Sequence, residues 1–151
     1  MIDATKRLDA VGSLIMSTWR LATLAEMYLE LGDYVAAETT VSEAFDKVTR
    51  TNERWCEPEV YRIAAEVIRR KPGGDLGIAE ERFRQAIEIA RNQGAKWWEL
   101  RASRSLARRM IDTNRRNEAR AMLAEIYGWF TEGFDTADLK DAKALLDELS
   151  G

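Results

Sequence analysis

Between Ala79 and Met110 the chain reads as two amphipathic helices separated by a single glycine. In the first, Ala79, Phe83, Ala86, Ile87 and Ala90 recur at the three- and four-residue steps of one helix face. Gly94 then offers the left-handed residue that ends a helix at little cost. Trp97, Leu100, Ser103, Leu106, Ala107 and Met110 resume the same period at once. Both stripes are rich in alanine, so two backbones can approach closely. A pair of this size cannot bury its apolar faces alone, and neighbouring pairs have to stack on it. The chain is therefore expected to be all-α.

The flanking sequence supplies those neighbours. A short helix is predicted over 2–11, stopped by Gly12 and too short to stand alone. A long amphipathic helix over 13–31 carries Leu14, Leu21, Leu24, Ala25, Tyr28 and Leu31. Gly32 closes it, and Asp33 suits the N-cap of a helix over 34–50. After a polar connector at 51–54, a helix begins near Pro58, where proline is tolerated in a first turn, and runs to Arg70. Residues 71–75 hold the strongest loop signal, with Pro72, Gly73 and Gly74. Beyond the central pair, a turn at 113–117 leads to a helix bearing Ala119, Met122, Leu123, Ile126, Tyr127 and Phe130. A break around Gly133 precedes a last helix over 136–149. Eight helices and no strand are expected.

Several function classes are disfavoured by composition. A chain of 151 residues fits one domain. A net charge of −3 argues against nucleic acid as a partner. No apolar run approaches the about 18 residues of a membrane span, and the first residues do not resemble a signal peptide. A cytoplasmic protein is the expectation. The chain has no histidine and one cysteine, so neither a metal site nor a cofactor is expected. Cys56 reads as a packed small residue in preference to a reactive thiol. Glu80 with Glu81, and Glu57 with Glu59, read as solvated pairs. The glycines at 73–77 follow no strand, and Ser103 and Ser105 have no base in reach, so no catalytic residue is assigned and an enzyme is not expected.

The helices also repeat. A window from Thr18 places Leu24, Ala25 and Tyr28 in a first helix, then Ala37, Val41 and Ala44 in a second. A window from Glu57 gives Ile63, Ala64 and Val67, then Ala79, Phe83 and Ala86. A third, from Leu100, gives Leu106, Ala107 and Met110, then Ala119, Leu123 and Ile126. This spacing resembles the tetratricopeptide repeat, a helix–turn–helix of about 34 residues with alanine where helices cross. The early tryptophan and late proline of that repeat are missing. The resemblance implies one domain, a right-handed α-solenoid of tetratricopeptide-like pairs with a C-terminal capping helix. Its parts would be a partial repeat at 1–12, repeats at 13–51, 52–94 and 95–131, and a cap at 136–149.

The runs ERWCEPEVYRIAAEVI, AEERFRQAIEIARNQGAKWWELRASRSLAR and YGWFTEGFDTADLKDAKALLDEL are similar to the carboxy-terminal region of a bacterial family. Its members join an adenylate/guanylate cyclase or transcription-regulator front end to a signalling ATPase of the STAND type and terminal tetratricopeptide repeats. No phosphate loop of the ATPase kind occurs here. The resemblance implies a sensor or scaffold piece with no active site.

In such repeats the first helix of each pair lines a concave surface. The inward positions that resemblance assigns include Trp19, Glu26, Glu30, Tyr61, Arg69, Arg101, Arg104 and Arg108. They are acidic at one end and basic at the other, with Tyr61 between. Such a groove suits a protein segment or peptide, acidic where Arg101, Arg104 and Arg108 form one helix stripe. The plainer alternative is a solvated charged face, its arginines paired with acids of a neighbouring repeat such as Glu66. Three roles stay open: a protein-interaction scaffold, a homo-oligomerisation module giving a homodimer, or a small-ligand sensor around Trp19 and Tyr61.

Overall fold

The structure, a computed structural model, describes residues 17–151. Seven helices follow one another: α1 Ser17–Glu30, α2 Tyr34–Thr51, α3 Glu57–Arg70, α4 Leu76–Gln93, α5 Lys96–Asp112, α6 Arg116–Tyr127 and α7 Ala137–Ser150. There is no strand among the described residues. The described residues are all-α, as the periodicity leads one to expect. The helix expected over 2–11 lies outside the described residues, as does the start of the one expected over 13–31.

Local chemistry sets the helix ends. The Asp33 carboxylate accepts from the Ala36 N–H at 3.0 Å and caps α2. Asp75 does the same for α4, accepting from Gly77 and Ile78. Gly94 takes φ +66° and returns its N–H to the last turn of α4, so α5 can begin two residues later. Gly74 is needed for a different reason. A Cβ there would stand 1.7 Å from the Ile68 carbonyl oxygen, in the tight turn that leaves α3.

Each helix packs on the next, and α1, α3, α5 and α7 also pack in series on one another. The even helices α2, α4 and α6 make no such mutual contact. The odd helices thus form one continuous row. Alanine makes the close crossings possible: Ala37, Ala86 and Ala119 are all fully buried. Phe83, Leu100, Leu106 and Leu123 fill the spaces around them without exposure, each worth about 1.5–3 kcal/mol of burial.

Two apolar clusters result. One joins Leu29, Val41, Val60 and Ile63 across α1, α2 and α3. The other runs from Ala65 and Phe83 through Leu106 and Leu123 to Leu139 and Leu149. The last helix closes that second cluster. Leu139, Ala142, Leu145 and Leu149 of α7 are buried, while Lys140, Asp141, Lys143 and Asp147 face water.

Candidate functional site

Trp19, Trp55, Trp97, Trp98 and Trp129 are scattered through the sequence, and the fold gathers them at one edge. Consecutive helices joined by short turns run antiparallel, so the odd helices all begin at the same edge. Trp19 lies in the first turn of α1, Trp97 and Trp98 in that of α5, and Trp55 and Trp129 in the segments leading into α3 and α7. The Trp55 and Trp98 rings lie 6.2 Å apart, and the Trp98 indole N–H donates to the Trp55 carbonyl at 2.9 Å. Trp97 and Trp129 both meet the Phe130 ring edge-on, at 5.8 Å and 5.3 Å. Trp97 and Trp98 are adjacent and turn to different neighbours, as adjacent helical positions must. Both nevertheless reach one cavity of about 350 Å³, which Trp19 closes from α1 and Glu26, Glu59 and Arg101 line on the polar side.

A row of charges crosses the odd helices beside this cavity. Glu26 of α1 accepts from Arg62 of α3 at 2.6 Å, and Arg62 bonds Glu59 one turn away at 2.7 Å. Arg101 of α5 reaches back to Glu59 at 2.8 Å and forward to Asp138 of α7 at 3.4 Å. Arg104 continues the row to Asp138 at 3.4 Å and Asp141 at 3.0 Å. All four odd helices are tied by it. Burial pushes the Glu59 carboxyl up, but Arg62 and then Arg101 outweigh burial and hold it below the usual carboxylate range. Burial likewise lowers Arg62, and Glu59 followed by Glu26 more than reverses it, so Arg62 stays charged. Burial pulls Arg104 down despite Asp138 and Asp141.

The residues expected to share a groove divide into groups. Trp19, Glu26 and Arg101 meet at the tryptophan cavity, and Arg104 joins Arg101 through Asp138. Glu30 instead pairs with Arg70 at 2.6 Å, and Arg69 with Glu66 of its own helix at 2.8 Å. Tyr61 turns toward the even helices, edge-on to Phe45 at 5.0 Å and under the Arg82 guanidinium at 5.5 Å. It belongs to the packing between α2, α3 and α4 and does not meet Trp19. Arg108 is exposed and makes no ion pair among the described residues. Two arginines of the stripe, Arg101 and Arg104, therefore meet acids of neighbouring helices, at Glu59, Asp138 and Asp141. Glu66 is taken by Arg69.

The expectation that Glu59 is a solvated surface acid needs correcting. It is buried to 4% exposure, because α1 and α5 close over α3 from both sides. Glu59, Arg62 and Asp138 were missed as site residues. Their one sequence signal was the three-residue spacing of Glu59 and Arg62, which also fits a surface pair.

Elsewhere, Cys56 is fully buried, and burial followed by the charge of Glu53 pushes its thiol up to about 12, far from a reactive thiolate. A larger cavity of about 690 Å³ opens on the outer face of α1 and α2, lined by Leu21, Leu24 and Met27 with Glu43, Lys47 and Arg50. No described helix is long and apolar enough to cross a membrane. Among the described residues no cluster of acids and cysteine could hold a metal ion. Comparison with protein-family models, with curated proteins and with solved structures finds no match.

Proposed function

We propose that this chain is a short right-handed α-solenoid of tetratricopeptide-like pairs and works as a protein-interaction scaffold. It holds a peptide or protein segment on the face of its odd helices. The observation that carries the reading is the tryptophan cavity, where α1, α3 and α5 bring three indoles and both signs of charge to one accessible hollow. Interaction sites concentrate tryptophan and arginine in this way, because each combines large contact area with a polar handle. The serial packing of α1, α3, α5 and α7, with the even helices apart, supports the solenoid arrangement. The resemblance to the tail of bacterial signalling ATPases would make the bound segment part of such a parent or of its target. Binding can be read from the intrinsic tryptophan fluorescence of the protein titrated with a peptide array. Peptide binding that is unchanged by Trp19→Ala would remove the cavity from this role.

A second reading is homo-oligomerisation. Leu24 and Met27 of α1 and Leu31 in the turn after it form an exposed stripe, with Met27 58% and Leu31 79% exposed. Apolar stripes of this kind mark contact surfaces. Light scattering over a concentration series tests it: a mass that stays monomeric throughout would leave the stripe without this role.

A further inference from the structure

We propose that the tryptophan cavity receives a cationic side chain, the ammonium or guanidinium of a lysine or arginine presented by a peptide segment. This rests on the scaffold reading and adds the chemistry of what the scaffold holds. It reverses the sign of the partner that the arginine stripe suggests.

Three features of the site select a cation. The walls are indoles from Trp19, Trp97 and Trp98, and the face of tryptophan attracts cations more strongly than any other side chain. The protein already uses one wall so: the Arg101 guanidinium carbon lies 6.0 Å over the Trp98 ring.

The second feature is charge. Around the cavity and the row beside it, the carboxylates Glu26, Glu59, Asp138 and Asp141 outnumber the guanidiniums Arg62, Arg101 and Arg104. Glu53 stands outside the cavity lining, against its neighbours Thr18 and Trp55, and has no paired cation among the described residues. It accepts from the Thr18 hydroxyl at 2.7 Å and the Trp55 indole at 3.2 Å, both neutral donors.

Third, Glu26 has an acceptor to spare. Its Oε1 is held by Arg62 at 2.6 Å, but its Oε2 stands 3.8 Å from Arg101, beyond hydrogen-bonding range, and the side chain is 37% exposed. At the cavity an incoming carboxylate would meet Arg101, whose one unbonded donor, Nε, is buried. Arg101 is engaged by Glu59 and Asp138, and Arg104 by Asp138 and Asp141. The volume of about 350 Å³ suits one side chain and its stem, at the small end of the usual range for ligand pockets.

The test uses short blocked peptides identical except for a central Lys, Arg, Gln or Glu, titrated against the full chain by calorimetry. The Lys and Arg peptides should bind, more weakly as salt rises, and the Gln and Glu peptides should bind about tenfold less tightly or not at all. Glu26→Gln should weaken the basic peptides about tenfold, and Trp19→Ala about fivefold, with helical circular dichroism retained. Trp19 is partly exposed, so its variant keeps the test open if Glu26→Gln disturbs folding. Equal or tighter binding of the Glu or Gln peptide would overturn the cationic assignment and leave the scaffold standing. Basic-peptide binding that survives both substitutions would also overturn it. Failure of all four peptides to bind would overturn both readings at this cavity.

Discussion

Arg62 places Nη2 2.7 Å from Glu59 Oε1 with only 5% of either side chain exposed, so α3 carries a buried ion pair into the row of odd helices. Two charges in such a place cost several kcal/mol each in lost hydration, and their attraction offsets this only while every partner stays bonded. Here Glu26 and Arg101 supply the remaining bonds from α1 and α5. Removing one member strands the others. Glu59→Ala should cost about 3–5 kcal/mol in chemical denaturation, with Arg62 and Arg101 left facing each other. A loss below about 1 kcal/mol would mean that water reaches the pair as it does at a surface.

Acid should act on the same bonds. Glu59 is held below its ordinary value of 4.5, chiefly by Arg62 against the opposing effect of burial. Glu80 is held at about 2, first by hydrogen bonds from Arg115, which joins α4 to the start of α6. For a carboxyl whose pKa falls on folding, the unfolded chain binds more protons as pH drops. The stabilisation is therefore full above 4.5 and is lost as pH falls toward about 2. The melting temperature should be level near neutrality and fall across that acid window, with a shallower fall in Glu80→Gln. A curve that stays flat down to the lower value would show that neither pair carries stability.

Ala86 leaves no room for a larger residue. It is fully buried where α4 crosses its neighbours, with Phe83 and Leu106 in the same cluster. Ala86→Leu should cost about 1–3 kcal/mol through overpacking. An unchanged melting temperature would mean that the crossing yields more easily than a dense core should.

How much of this could be read from the chain differs by kind of feature. Ala37, Ala86 and Ala119 were legible because burial on one face of a helix imposes a local period that survives in the sequence. Gly94 and Asp33 were legible because helix ends need particular chemistry within a few residues. The tryptophan edge was not. Trp19, Trp55, Trp97 and Trp129 share no period, and only the antiparallel course of the helices brings them together. The ion pairs were hidden for the same reason: Glu26 and Arg62 lie 36 residues apart. The direction of Tyr61 was hidden as well, because repeat position alone does not say which way a ring turns at a crowded crossing. It turns inward to Phe45.

Deleting 136–151 should expose the apolar end of the second cluster. Leu139, Leu145 and Leu149 cover α5 and α6 there, and Asp138 closes the charge row onto Arg101 and Arg104. A stacked array needs a polar outer side at its end to stay soluble. The truncated chain should aggregate, or melt lower with a smaller transition. A monomer with an unchanged melting temperature would show that α7 is not a cap.

The three arginines of α5 should prove unequal. Arg101 and Arg104 are 22% and 17% exposed in their side chains and bonded to acids of neighbouring helices, whereas Arg108, one turn beyond Arg104, is exposed. Exposed charges away from a partner rarely move stability by more than about 0.5 kcal/mol, so Arg108→Glu should be close to neutral. Arg104→Glu should differ, because the new carboxylate would face Asp138 and Asp141 within a few ångströms and remove the cation that now separates them. A loss of about 1–3 kcal/mol is expected, larger at low salt, where repulsion between partly exposed charges is less screened. Thermal denaturation of the two variants at low and high salt separates the roles. Equal losses would mean that the row of charges across the odd helices does not hold them together, and would return Arg104 to the standing of an ordinary surface arginine.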